Sequence, residues 1–180
     1  QMKAWIYRGP YSMEMVDLPK PIVAFGEVLV RVEANCACGS DVHGFAGKTG
    51  RRKAGMVMGH ELAGIVEEVY SPSASSLVGK RVVVQPIISC GTCELCQAGL
   101  TSVCLAKRMI GVNMGTIGGL GEYVCVPQAN VFPIGQGIAP AAAALTEPFA
   151  VGEGAASAAD ALIPGAQVCI VGSGTIGLTT

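Results

Sequence analysis

Four of the chain's eight cysteines lie within residues 90–104, at the spacing Cys90-x2-Cys93-x2-Cys96-x7-Cys104. Thiolates are soft ligands, and four on so short a loop suit one tetrahedral divalent ion with Zn²⁺–S distances of about 2.3 Å. Two disulfides inside the same loop would be strained. Cysteines in a chain with no export signal point instead to a reducing compartment and to metal use. With no open position and no histidine, this site is expected to be structural.

A second group surrounds the only two histidines, His43 and His60. A catalytic zinc needs three protein ligands and one open position. Cys38 and His60, each expected at a strand end, reach one ion if their strands are neighbours. A histidine beside glycine is more often structural, but Asp41 and Glu61 shift the balance. A ligating histidine needs a carboxylate to fix its free ring nitrogen. A third feature is an apolar strand over 167–171 that runs into Gly172-Ser173-Gly174-Thr175-Ile176-Gly177, the context of a pyrophosphate-binding loop.

The elements that must position these residues are short. Residues 2–8 and 13–18 flank Gly9-Pro10 and read as a hairpin. Residues 27–35 alternate with period two, with Val28, Val30 and Val32 on one face and Leu29 with the charged residues on the other, as in a half-buried strand. Further strands are expected over 61–69, 81–84 and 122–126, with a glycine-rich loop at 111–121 and a surface turn at 71–76. Residues 141–145 and 148–162 read as helices, with Pro148 in a permitted first-turn position.

Composition agrees with many strands and turns: 51% of the 180 residues are apolar, 5% are aromatic and 25 are glycine. That glycine share is about double the usual ~7%. A net charge of −1 gives no electrostatic reason to expect nucleic acid or an anionic membrane. Arg51-Arg52-Lys53, the one basic cluster, reads as a solvated loop. The uncharged stretches 123–146 and 161–180 are interrupted by proline or glycine, so neither is a membrane span. No signal peptide is visible, Gln1 reads as a leftover ahead of a native Met2, and a cytoplasmic location is expected.

Taken together, Cys38-Gly39-Ser40-Asp41-x-His43, Gly59-His60-Glu61-x-x-Gly64, the cysteine quartet, Glu147-Pro148 and Gly172-x-Gly174-x-x-Gly177 resemble the zinc-dependent medium-chain alcohol and polyol dehydrogenases, in that family's order. The resemblance implies a mainly β fold with some α. A GroES-like catalytic domain, a β-barrel with a structural zinc lobe, would occupy 1–150. A connecting helix and the first strand and glycine loop of a truncated Rossmann domain would occupy 151–180. It further implies that Cys38 and His60 bind a catalytic zinc, with Asp41 beside it. Ser40 would receive the substrate proton and His43 would relay it to solvent. Glu147 stands where simple alcohol dehydrogenases carry cysteine, as in the sorbitol, threonine and butanediol branch. In that branch Glu61 or Glu147 completes the ligand set, and both stay open.

Several positions depart from the family pattern without touching a ligand, namely 54–58, Tyr70 and Lys80. Cys125 and Cys169 read as small buried strand residues, and Cys36 has no assigned role. The implied activity is hydride transfer between a secondary alcohol or polyol and NAD or NADP, with two zinc ions per chain. The full-length form is expected to be a homo-oligomer, with no nucleic-acid or membrane partner. The residue that would separate NAD from NADP lies beyond Thr180. These 180 residues alone are therefore expected to be inactive, with strand 167–171 lacking parallel neighbours and a loose or swapped tail from about Pro164. The alternative reading is a non-enzymatic zinc-binding scaffold domain.

Overall fold

The computed structural model describes residues 1–113, 115–162, 165 and 167–180. The chain opens with an antiparallel hairpin, β1 (Met2–Gly9) and β2 (Ser12–Leu18), as the Gly9-Pro10 turn predicts. Next come β3 (Glu27–Cys36), helix α1 (Gly39–Phe45), β4 (Glu61–Val69) and β5 (Arg81–Val84). A small pair, β6 (Ile87–Ile88) and β7 (Arg108–Met109), brackets helix α2 (Glu94–Gln97). Strands β8 (Tyr123–Pro127) and β9 (Val131–Pro133) precede helices α3 (Pro140–Ala144), α4 (Thr146–Leu162) and α5 (Thr175–Thr179). The sequence signals mark α3 and α4 to within two residues, but β6, β7 and β9 are too short to show a period.

The main sheet is antiparallel, in the order β8-β3-β4-β5-β9. Its inner face is built by branched residues at alternate positions: Val28 and Val30 of β3, Val66 of β4, Val82 and Val84 of β5, and Val124 and Val126 of β8. A second apolar cluster, Ala63, Val83, Ala143 and Ala144, seats α3 on the other face. Small side chains there let the helix approach closely, directly behind the strand that leads out of His60. Bridges Ala4↔Gly121 and Ile6↔Val57 tie the opening hairpin to this body.

Three expectations are corrected. The sheet is not a closed barrel among the described residues. Residues 128–130 carry the chain from one edge strand, β8, straight to the other, β9, yet no ladder joins the two among the described residues. Closure requires such a ladder. Leu29, placed on the polar face by alternation, is 0% exposed like Val28 and Val30. The register against β4 shifts between Leu29 and Val30, so strict alternation fails in this central strand.

The third correction concerns 167–171, which form no strand. They run without a ladder partner, and Val171 is 96% exposed. Extended chain becomes a strand only by pairing, and 167–171 take part in no ladder or bridge among the described residues. Cys169 is accordingly exposed rather than buried. Pro164, where a loose tail was expected to begin, lies outside the described residues. No described helix is long and apolar enough to cross a membrane.

One glycine is dictated by the sheet itself. A Cβ on Gly64 would collide with the carbonyl oxygen of Arg31 and stand 2.8 Å from Val30 Cγ1. The obstacle is backbone in the neighbouring strand, which cannot swing aside. Gly64→Ala is expected to destabilise the protein by about 3 kcal/mol, the upper end for overpacking. Urea unfolding measures this, and a loss below about 1 kcal/mol would show that the strands separate easily.

Candidate metal centres

The cysteine quartet is assembled by local structure. Pairing of Ile87 with Met109 and Ile88 with Arg108 brings the two ends of the lobe together, so Cys90 and Cys104 face each other. Cys93 caps α2 and Cys104 follows the 3₁₀ turn Thr101–Val103. Four of the Sγ–Sγ separations are 3.5 Å for Cys93–Cys96, 3.5 Å for Cys104–Cys90, 3.9 Å for Cys90–Cys96 and 3.9 Å for Cys93–Cys104. Sulfurs about 2.3 Å from one tetrahedral ion lie about 3.8 Å apart, whereas a disulfide needs about 2.05 Å. All four thiols are free, and their ligand atoms form a set that could hold one ion.

Backbone N–H groups already serve these sulfurs: Cys93 N donates to Cys90 Sγ and Cys90 N to Cys104 Sγ, both at 3.4 Å. The backbone at Thr92 and then Cys93 lowers the Cys90 thiol to about 6, while burial and Cys93 push Cys96 up to about 11. This split is expected of crowded thiols, which cannot all ionise unless a cation joins them.

The second centre is made by the main sheet. Cys36 at the end of β3 pairs with Glu61 at the start of β4. That pairing closes the gap between Cys38 and His60, as the neighbouring-strand condition requires. Cys38 then caps α1, its sulfur accepting from Ser40 N at 3.4 Å. One ligand atom each from Cys38, His60 and Glu61 lie within 4.8 Å of one another. His60 and Glu61 are buried.

Asp41, on the first turn of α1, stands behind His60. His60 Nδ1 is 3.3 Å from Asp41 Oδ2, in contact though off the line of a strong hydrogen bond. With Nδ1 turned to the carboxylate, Nε2 is left to a metal. Burial works to raise the Asp41 pKa, but His60 and Arg52 outweigh it and hold the carboxyl below its ordinary value.

Arg52 is the residue that the sequence reading missed. In place of a solvated loop side chain, its guanidinium is buried and Nη2 donates to Asp41 Oδ1 at 2.8 Å. Gly44 of α1 makes the room, since a Cβ there would lie 2.6 Å from Arg52 Cγ. The available signal was Asp41 itself, because a carboxylate destined for burial needs a cation. Arg51 and Lys53 on either side are exposed, as expected.

A cavity of about 600 Å³ opens over this centre, lined by Cys38, Ser40, Arg51, His60, Glu61 and Glu147 among others. Glu147, in the first turn of α4, is half-buried and outside the close trio of ligand atoms. Burial raises its carboxyl pKa; Glu61 adds to that rise and His60 opposes it. His43 is exposed in the last turn of α1, three residues beyond Ser40.

The glycine loop has its expected form only in part. Gly174 caps α5, and a Cβ on Gly177 would collide with the Gly172 carbonyl oxygen, so the third glycine lets the loop pack on its helix. Thr179 Oγ1 donates to Pro148 O at 3.2 Å, fixing α5 on α4, and Ile176 reaches the wall of the cavity.

Known dehydrogenases resemble this chain in sequence and fold. L-galactonate-5-dehydrogenase of Escherichia coli K12 is 39% identical over 177 residues, covering 98% of this chain and 51% of that protein. An alcohol dehydrogenase of E. coli CFT073, solved with NADH, is 34% identical with a TM-score of 0.77, over 84% of this chain and 44% of that one. A cobalt- and zinc-bound thermostable alcohol dehydrogenase from Pyrobaculum aerophilum is 29% identical with a TM-score of 0.78, over 88% and 48% of the two chains. The chain spans about half the length of the curated relatives it matches. The profile of the alcohol dehydrogenase GroES-like domain covers residues 24–136. With most of the sheet and all of the cysteine lobe inside that match, the chain belongs to the alcohol dehydrogenase GroES-like domain family.

Proposed function

We propose that this chain is the metal-binding, substrate-holding part of a zinc-dependent oxidoreductase that moves hydride between a secondary alcohol and NAD or NADP. The observation that carries this reading is the convergence of Cys38, His60 and Glu61 within 4.8 Å beneath an open cavity, apart from the closed cysteine quartet. Relatives named for oxidation of an alcohol or sugar acid, one solved with NADH and one with zinc, support it. The domain division remains 1–150 for the metal-binding part and 151–180 for the beginning of the nucleotide-binding part, with α4 running across the boundary.

Zinc at this centre would act as a Lewis acid on the substrate oxygen. The protein's own groups do the rest. Asp41 and Arg52 fix the ring of His60. Ser40, at the cavity wall, accepts the alcohol proton, and His43 passes it to solvent from the exposed end of the same helix. Glu147 supplies a further carboxylate to the metal from the side of α4. The glycine loop takes the cofactor pyrophosphate.

Metal analysis and a panel of alcohols with NAD and NADP test the reading on the whole protein. Two zinc equivalents per chain and turnover of secondary alcohols are expected; preference for short primary alcohols counts against the substrate class. Glu147→Ala should weaken zinc at the Cys38 centre about 10- to 100-fold, read by competition with a chromophoric chelator. Unchanged affinity would remove Glu147 from the site. The scaffold alternative predicts that loss of the Cys38 metal unfolds the whole domain and that no alcohol is oxidised.

A further inference from the structure

Arginine is unevenly used in this molecule. Arg8, Arg31, Arg52 and Arg81 each have a carboxylate partner within 4.0 Å. Among the described residues, Arg51 and Arg108 have none, and of these two only Arg51 lines the cavity over the Cys38 centre. Its neighbour Arg52 lines it too, but that guanidinium is committed to Asp41. The Arg51 side chain is exposed, while its backbone N–H donates to Thr49 Oγ1 at 3.3 Å and ties the loop back on itself. Arg51 is therefore an arginine without a carboxylate partner that lines the same cavity as Cys38, Ser40, His60 and Glu61.

We infer that Arg51 selects a polyhydroxylated substrate bearing an anionic group, a carboxylate or a phosphate. The inference rests on the oxidoreductase reading above and adds the substrate's charge. A guanidinium presents a planar fork of donors that matches the oxygens of either anion, and such charge-assisted bonds are about twice as strong as neutral ones. A neutral alcohol leaves that fork to water. At about 600 Å³ the cavity falls within the ordinary range for small-molecule sites, ~300–1,000 Å³. It can take a chain of several carbons with one hydroxyl at the metal and a charged end at the loop. Thr49 beside Arg51 offers a hydroxyl to the same end.

The test uses the whole dehydrogenase with three probes: a six-carbon aldonate, the matching neutral alditol and the alditol phosphate. The wild type should favour one anionic probe over the alditol in kcat/KM. Arg51→Gln should reduce that preference about 10- to 100-fold, and Arg51→Lys should restore part of it. Calorimetric titration of the preferred anion into wild type and Arg51→Gln gives a readout independent of turnover, with the same loss expected. The aldonate and phosphate arms decide between the two anions. Preference for the neutral alditol, an unchanged ratio in Arg51→Gln, or a rise in the cofactor KM alone would overturn the inference while leaving the oxidoreductase reading intact. Failure to oxidise any alcohol with either cofactor would overturn that reading, and this one with it. Arg51 is exposed, so a melting temperature matching wild type is expected in both variants; an unfolded Arg51→Gln and Arg51→Lys pair would show Arg51 to be structural and likewise overturn the inference.

Discussion

Cys104→Ser is expected to release the zinc held by the quartet and unfold residues 90–104 while the main sheet stays folded. The lobe has almost nothing else to hold it. Neither α2 nor the turn Thr101–Val103 contains a buried residue, and Cys104 is itself the buried member of the quartet. A structural zinc contributes on the order of 10–16 kcal/mol to peptides of this kind, against little apolar burial here. The sheet should survive because Asn130 secures the chain before the lobe begins, donating to Gln85 O at 2.8 Å and Ile87 O at 2.7 Å. Metal analysis should show one equivalent lost, and limited proteolysis should cut within the lobe. Retention of both metals with an uncut lobe would mean that three thiolates suffice and that packing carries more than argued here.

The second large effect is expected at Arg52. Replacing it by methionine keeps much of the side-chain volume but leaves Asp41 buried with only His60 for company. Breaking one partner of a buried ion pair costs roughly 3–5 kcal/mol, or a fall in Tm of about 10 °C for a protein of this size. Adding Asp41→Asn should recover part of that loss, because the stranded charge is then gone. A double-mutant cycle measures the coupling. A single Arg52→Met loss below about 1 kcal/mol would show that water already serves Asp41. The same variant should weaken zinc at the Cys38 centre, since the ring of His60 is steadied through Asp41.

These two sites show what the chain order can and cannot reveal. The quartet was legible because its ligands are neighbours in sequence: fifteen residues close on themselves, and spacing alone limits what they can hold. The hairpin, the strands leading to Cys38 and from His60, and the helix carrying Glu147 were equally local, written in alternation and in turn residues. Motif order then pointed to the family and to Cys38, His60, Asp41 and Glu61 as one centre.

Tertiary structure decided the rest. Sequence left Glu61 and Glu147 open, and only the pairing of Cys36 with Glu61 sets Glu61 close to the other two ligand atoms while Glu147 lines the wall beyond. Three basic residues in a row looked alike, yet one is buried against Asp41 and one faces the cavity, because burial depends on where α1 and Gly44 lie. Leu29 went inside through a register shift that alternation cannot express. Residues 167–171 have every local mark of a strand, and form none, because a strand exists only through the neighbour it pairs with.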